Sequence, residues 1–145
     1  MKEEINDKVK FNYYDLEGKL AVESVWASKE ENGYRIKNIP FFIPNIAYDD
    51  IIIVEEEDGE LFFDDIVMES GNSTLQVIIY NENDIEEITK KIENFDCGWE
   101  GSHLKGYISV NVPKGINYLP IKGFLDKELE SEKLDYKEAC MVHNI

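Results

Sequence analysis

Apolar residues alternate with polar ones through much of the first 80 residues, and the spacing then changes to that of a helix. Aromatic and β-branched residues fill stretches 9–14, 20–28, 34–39, 51–57, 61–69 and 73–80, the composition that strands favour. Glu17-Gly18, Asn32-Gly33, Asp58-Gly59 and Gly71-Asn72 punctuate them. Asn-Gly and Asp-Gly suit type I′ turns, whose two central residues both need positive φ, and Gly-Asn suits type II′. The pattern therefore predicts a series of hairpins. Phe62, Ile66 and Met68 share one parity, and so do Leu75, Val77 and Ile79. Each set is expected on a single sheet face.

Ile39-Pro40-Phe41-Phe42-Ile43-Pro44 interrupts the rhythm. Its two prolines lack backbone donors, which argues for an extended connection whose aromatics cover a sheet end, not a central strand. After Tyr80 the pattern becomes helical. Asp84 followed by Glu87 fits a capping box, and Ile85, Ile88, Ile92 and Phe95 repeat at helical spacing. Lys90 and Lys91 suit the negative end of that helix. A loop is expected over 96–106, a strand over 107–112, and a second helix over about 118–134 with Pro120 in its first turn. Gly123 weakens that helix, and 136–142 returns as a strand.

This order of elements predicts an α+β fold. An antiparallel, hairpin-rich sheet or small barrel in the first half joins a β-α-β-α-β, helix-covered sheet in the second. The 145 residues are read as one compact domain sharing one core, with 1–80 mainly β and 81–145 mixed.

Charge then narrows the function. The chain carries 31 acidic against 15 basic residues, a net charge of −16, and Arg35 is its sole arginine. Affinity for DNA or RNA comes from Lys and Arg on phosphates, so a nucleic-acid partner is disfavoured, as is an anionic membrane. A basic protein partner is favoured. Solubility alone also selects acidic surfaces. The first residues, Met-Lys-Glu-Glu-Ile-Asn-Asp, do not read as a signal peptide, and the longest apolar run is 51–54. With two cysteines and no disulfide framework, the chain is expected to be cytoplasmic.

No complete catalytic or metal motif accompanies the charge. Cys97, His103, Cys140 and His143 supply the residue types of a zinc site, but Cys-x5-His and Cys-x2-His are not its usual pairings. Asp96 and Glu100 beside Cys97 oppose a thiolate nucleophile. Ser70-Gly71-Asn72-Ser73 reads as a turn and not as a nucleophile elbow. Phosphate-loop and dinucleotide fingerprints are absent, and no cofactor is expected. Asp49/Asp50 and Asp64/Asp65 are adjacent, so on strands they point to opposite faces and form no acid/base dyad.

The candidate partner-binding set is therefore acidic and aromatic. Glu55, Glu56, Glu57, Asp58 and Glu60 surround a predicted hairpin tip, with Asp49, Asp50, Asp64, Asp65 and Glu69 on the flanks. Such a patch steers a basic partner; read plainly, it is a solvated hairpin whose charges protect an edge. Trp26, Tyr34, Phe41, Phe42 and Tyr48 read mostly as core, and any left exposed would be an interface anchor. Trp99, with Glu100 in Cys97-Gly98-Trp99-Glu100-Gly101, is the expected exposed aromatic contact. Arg35 is a candidate anion or ligand clamp, or a structural ion pair.

Glu23-x-x-Trp26-Ala27, Gly33-Tyr34-Arg35-Ile36-x-Asn38-Ile39-Pro40-Phe41-Phe42, Ala47-x-x-Asp50 and Ser70-Gly71-Asn72-Ser73-Thr74 resemble the bacterial domain-of-unknown-function family 4265. Glu100-Gly101, Val110-x-Val112-Pro113 and Tyr136-x-Glu138-Ala139 extend the resemblance. Where the family pattern often has Gly, this chain has Asp49 before Asp50. The resemblance implies one compact bacterial domain, with no catalytic residues to carry over. Its likeness to small immunity-type proteins agrees with the charge. Together these give the leading expectation: a non-enzymatic immunity or antitoxin-like protein that binds and neutralises a basic toxin of the nuclease or deaminase class. The alternatives are a ligand binder or enzyme with a pocket near Arg35, and a regulatory protein-interaction domain.

Overall fold

Five strands close on themselves in the first half of the chain. In the computed structural model, which describes residues 7–145, these are β1 (Asp7–Tyr14), β2 (Leu20–Glu30), β3 (Gly33–Ile36), β4 (Ile51–Glu57) and β5 (Glu60–Met68). The reading of the first residues as no signal peptide falls largely outside the described residues. Neighbouring strands are antiparallel, and a short parallel pairing of Val9 with Leu61 and Lys10 with Phe62 closes the barrel. Alternation sends Val9, Phe11, Val25, Ala27, Ile36 and Ile52 inward.

Local chemistry sets the turns. The Asp15 carboxylate accepts from the N–H groups of Glu17 and Lys19, each at 2.9 Å, and fixes the β1–β2 turn. Asp58 and Gly59 both have positive φ, +53° and +80°, as a type I′ turn requires. Asn32-Gly33 differs, because only Gly33 leaves the negative-φ half. Glycine is needed there for close approach, since a Cβ would stand 2.3 Å from the Ile52 carbonyl oxygen on β4. The parity expected along β5 is also broken. Val54 pairs with Phe63 but Ile53 with Asp65, so a bulge shifts the inward set to Leu61, Phe63 and Ile66. Met68 is exposed, and so are both Asp64 and Asp65.

The second half builds a four-stranded antiparallel sheet in the order β7-β8-β6-β9. Its strands are β6 (Ser73–Ile79), β7 (Gly98–Gly101), β8 (Tyr107–Val112) and β9 (Leu134–Cys140). Helices α1 (Ile85–Asn94) and α2 (Leu119–Glu130) pack on it. Leu75, Val77 and Ile79 share a buried face as the alternation requires, against Ile88, Ile92, Ile121 and Leu125. The fold class is α+β, as the sequence predicts.

Several local expectations are corrected. β6 does not form a hairpin with β5, because its partners are β8 and β9 in the other sheet. The expected 96–106 loop contains β7, a strand held by its register on β8 and not by its own β-propensity. Asp84 makes no capping bond; Asn81 caps a short 3-10 turn, Glu82–Asp84, that leads into α1. α2 ends at Glu130, short of the expected bound, because Glu132 takes a positive φ of +58° and Leu134 enters β9. Pro120 does sit in its first turn.

Polar groups hold α2 to β9. The Tyr118 hydroxyl donates to Glu138 at 2.7 Å, Lys122 donates to Glu138 and the Tyr136 hydroxyl at 3.3 Å, and Tyr136 donates to Asp126. Burial and the Glu138 carboxylate push the Tyr118 hydroxyl upward in pKa, so it stays a proton donor.

Most buried apolar residues fall in two clusters, one inside the barrel and one under the helices. The connector between β3 and β4 joins them through polar bonds. The Ile39 carbonyl accepts from Ser109 Oγ at 2.9 Å, the Ile46 carbonyl from Thr74 Oγ1 at 3.1 Å, and the Phe41 carbonyl from the Tyr107 hydroxyl at 2.5 Å.

Candidate functional site

The β4–β5 hairpin carries the densest charge. Glu55, Glu56, Glu57, Asp58, Glu60, Asp64 and Asp65 are all exposed. The strands place them at successive pairs, Glu55 with Phe62, Glu56 with Leu61 and Glu57 with Glu60. Like charges directly opposite destabilise a sheet, so the Glu57–Glu60 pair costs local stability. Among the described residues, Glu60 alone of the seven has a cationic partner, Lys10 at 2.5 Å.

β1 lies beside β5, so its first residues stand against this hairpin. A cleft of about 500 Å³ opens there, lined in part by Asp7, Lys8, Tyr34, Glu56 and Glu60. On the next strand Trp26 pairs with Lys8 and is 41% exposed, with the Lys8 ammonium 4.7 Å from its ring centroid. Val22, Leu20 and Tyr14 are exposed further along β1 and β2. Of the aromatics named from sequence, Trp26 is therefore the exposed one, on β2 and across β1 from the acidic hairpin.

The remaining expected site residues hold the connector. Asp50 is 2% exposed and accepts from Ala47 N–H at 2.9 Å and Ser70 N–H at 2.8 Å, which withdraws it from any partner. Asp49 is half-buried and bonds Lys37 at 2.7 Å. Its φ of +70° is the left-handed conformation that glycine adopts freely and Asp tolerates. Glu100 accepts from Asn38 Nδ2 at 3.1 Å and Ile39 N–H at 2.7 Å. Trp99 is half-buried against the helical core, its indole N–H donating to Glu93 at 2.8 Å. Glu100 and Trp99, expected on an exposed loop, are instead half-buried on strand β7 and bonded within the chain.

Arg35 is engaged by both carboxylate oxygens of Glu30 and by the Asp49 carbonyl, so its guanidinium is a structural pair and not an open clamp. That hydrogen bonding lowers the Glu30 pKa below the usual carboxylate range. Asn38 is structural too, accepting from Trp26 N–H at 2.7 Å.

The residue types of a zinc site are dispersed. Among the described residues, no three His, Cys, Asp or Glu side chains gather as a metal-binding group. His103 is exposed, whereas His143 bonds Ser73 Oγ at 2.5 Å and the Pro113 carbonyl at 2.8 Å. Ser73 is fully buried, and its oxygen also accepts from Val142 and His143 N–H groups, so it belongs to the fold. Burial first, then Asp96, pushes the Cys97 thiol up to about 11. Burial, then Asp50 and Glu69, does the same for Cys140, up to about 11.

Glu23 is the residue whose role composition could not assign. Its carboxylate is 8% exposed and accepts from Phe41, Phe42 and Ile43 N–H groups at 2.7, 3.0 and 3.1 Å. The signal was present: an acid in the inward parity of Val25 and Ala27.

A five-stranded closed barrel joined to a helix-covered antiparallel sheet defines an α+β protein. Residues 23–136 match the model of the Domain of unknown function (DUF4265), and the chain belongs to that family. A solved structure of a hypothetical protein from Neisseria gonorrhoeae is 31% identical, covers 96% of this chain and 97% of its own, and superposes with a TM-score of 0.84. No curated protein matches. Among the described residues, no helix is long and apolar enough to cross a membrane.

Proposed function

We propose that this chain is a non-enzymatic, cytoplasmic binding protein that neutralises a basic protein toxin, as an immunity or antitoxin-like partner. The observation that carries the reading is the β4–β5 hairpin, whose seven exposed carboxylates have one cationic partner among the described residues. Unpaired charge on one projecting hairpin gives a basic partner a directional field, which raises the rate of encounter and falls with salt. Trp26, exposed on β2 across β1 from that hairpin, supplies an anchor that slows release. Direct binding to nucleic acid stays disfavoured at a net charge of −16. Engagement of Arg35 by Glu30 weakens the alternative of a ligand site there.

The test is affinity capture from native lysate, with low- and high-salt washes, using the tagged protein and a hairpin variant with Glu55, Glu56 and Glu57 changed to Gln and Asp58 to Asn. One small basic protein with toxin activity, retained at low salt by the parent and lost from the variant, is the expected result. Equal capture by parent and variant, or no stoichiometric partner in either wash, overturns the reading.

A further inference from the structure

A second cleft, of about 430 Å³, lies where the loop after β8 meets the residues after β9. Its walls include Gly71, Lys114, Gly115, Asn117, His143 and Asn144, and no lining residue is acidic. That is unexpected in a chain with 31 Asp and Glu among its residues. Every charged or polar side chain that lines it is a cation, an amide, an imidazole or a phenol.

Lys114 is held in place from two directions. Its backbone N–H donates to Asn72 Oδ1 at 2.9 Å, while Asn72 Nδ2 donates to the Tyr48 carbonyl at 2.9 Å. Its aliphatic stem lies over Gly71, where a Cβ would come within 2.7 Å of Lys114 Cδ. Gly71, at a φ of +92°, leaves that space open. The ammonium has no ion-pair partner among the described residues. Lys114 is exposed, so its ammonium is open to an anion while its stem rests over Gly71.

The surrounding groups fit the same ligand. The Pro113 carbonyl can only accept, so His143 Nε2 carries a proton and donates to it, while Nδ1 lies 2.5 Å from Ser73 Oγ. The imidazole is thereby fixed between Ser73 and Pro113. Asn117 uses its oxygen on Leu119 N–H at 3.2 Å, which leaves its amide N–H groups as donors. α2 starts at this cleft with no acidic residue in its first turn.

We propose that the cleft binds a small oxyanion, the phosphate or carboxylate group of a ligand. Lys114 supplies the countercharge, and Asn117 and the Gly115 N–H supply neutral hydrogen bonds. This site is independent of the acidic hairpin and stands or falls without it.

The test is an amide ¹H–¹⁵N NMR titration of the full chain with inorganic phosphate, and separately with acetate, at fixed pH and ionic strength. Saturable shifts confined to Gly115, Asn117, Asn144 and their neighbours are expected, weakened at least tenfold in Lys114→Met. Methionine keeps the apolar stem over Gly71, so an unchanged spectrum away from the cleft verifies that the variant folds. A response to phosphate alone assigns a phosphate-bearing ligand, and a response to both anions assigns the wider oxyanion class. Absence of saturable shifts with either anion, or equal titration of Lys114→Met, overturns the proposal.

Discussion

Replacing Glu23 with Ala removes the acceptor for three consecutive backbone N–H groups of the connector. The Ile43 donor belongs to a residue 2% exposed, and an unsatisfied buried donor costs about 1–3 kcal/mol. Phe41 and Phe42 are half-buried, so their N–H groups regain water and lose about 0.5–1 kcal/mol each. Relief from keeping a carboxylate dehydrated offsets about 1 kcal/mol. The net expectation is a loss of about 2 kcal/mol, a large share of the roughly 5–15 kcal/mol that holds a domain folded. At an m-value of about 2 kcal/mol/M, the urea midpoint falls by about 1 M. Equilibrium unfolding followed by circular dichroism and tryptophan fluorescence measures it. Glu23→Gln preserves volume but turns an amide N–H₂ toward backbone donors, so it is expected to lose a similar amount. Glu17→Ala, at an exposed turn, should stay within about 0.5 kcal/mol of the parent. Midpoints for both Glu23 variants indistinguishable from that control would refute the account of the connector.

Two further outcomes follow from the ion pair and the thiols. Arg35 holds the Glu30 carboxyl below its usual range by a hydrogen bond and by charge, so the folded pKa lies below the unfolded one. The contribution is therefore complete above the unfolded carboxylate value of about pH 4.3 and disappears as pH falls through the folded value. The stability gap between the parent and Arg35→Met should narrow on acidification below about pH 4; a gap constant with pH would contradict the pairing. Cys97 and Cys140, each with a thiol pushed up to about 11 by burial, should resist a thiol-specific disulfide reagent at pH 8 while folded. Both should react promptly in guanidinium, and native reaction at the unfolded rate would show them accessible.

Hydrophobic periodicity and turn chemistry made most of the strands and both helices legible, because those signals are local. Asp58-Gly59 can make its turn from the two residues alone, and Ile88 and Ile92 mark a helix face wherever the helix docks. β7 escaped because Gly98-Trp99-Glu100-Gly101 has little strand propensity of its own and is extended by pairing with β8. Trp26 and Trp99 could not be ranked by composition: one ring faces solvent beside Lys8, the other donates to Glu93 against the helical core.

The sequence by itself determined the α+β class, the hairpin that carries Glu55 to Glu60, and a net charge of −16. These follow from residue types and spacing within a few positions. Only the tertiary structure decided which carboxylates face solvent and which are used inside the fold. Glu23, Asp50 and Glu100 each accept from connector N–H groups, and Glu23 and Glu100 do so across more than a dozen residues of sequence. The connector is irregular and must satisfy its donors without a strand ladder. Backbone donors of that kind are met by whichever acceptor the fold brings near, and no local pattern names it in advance.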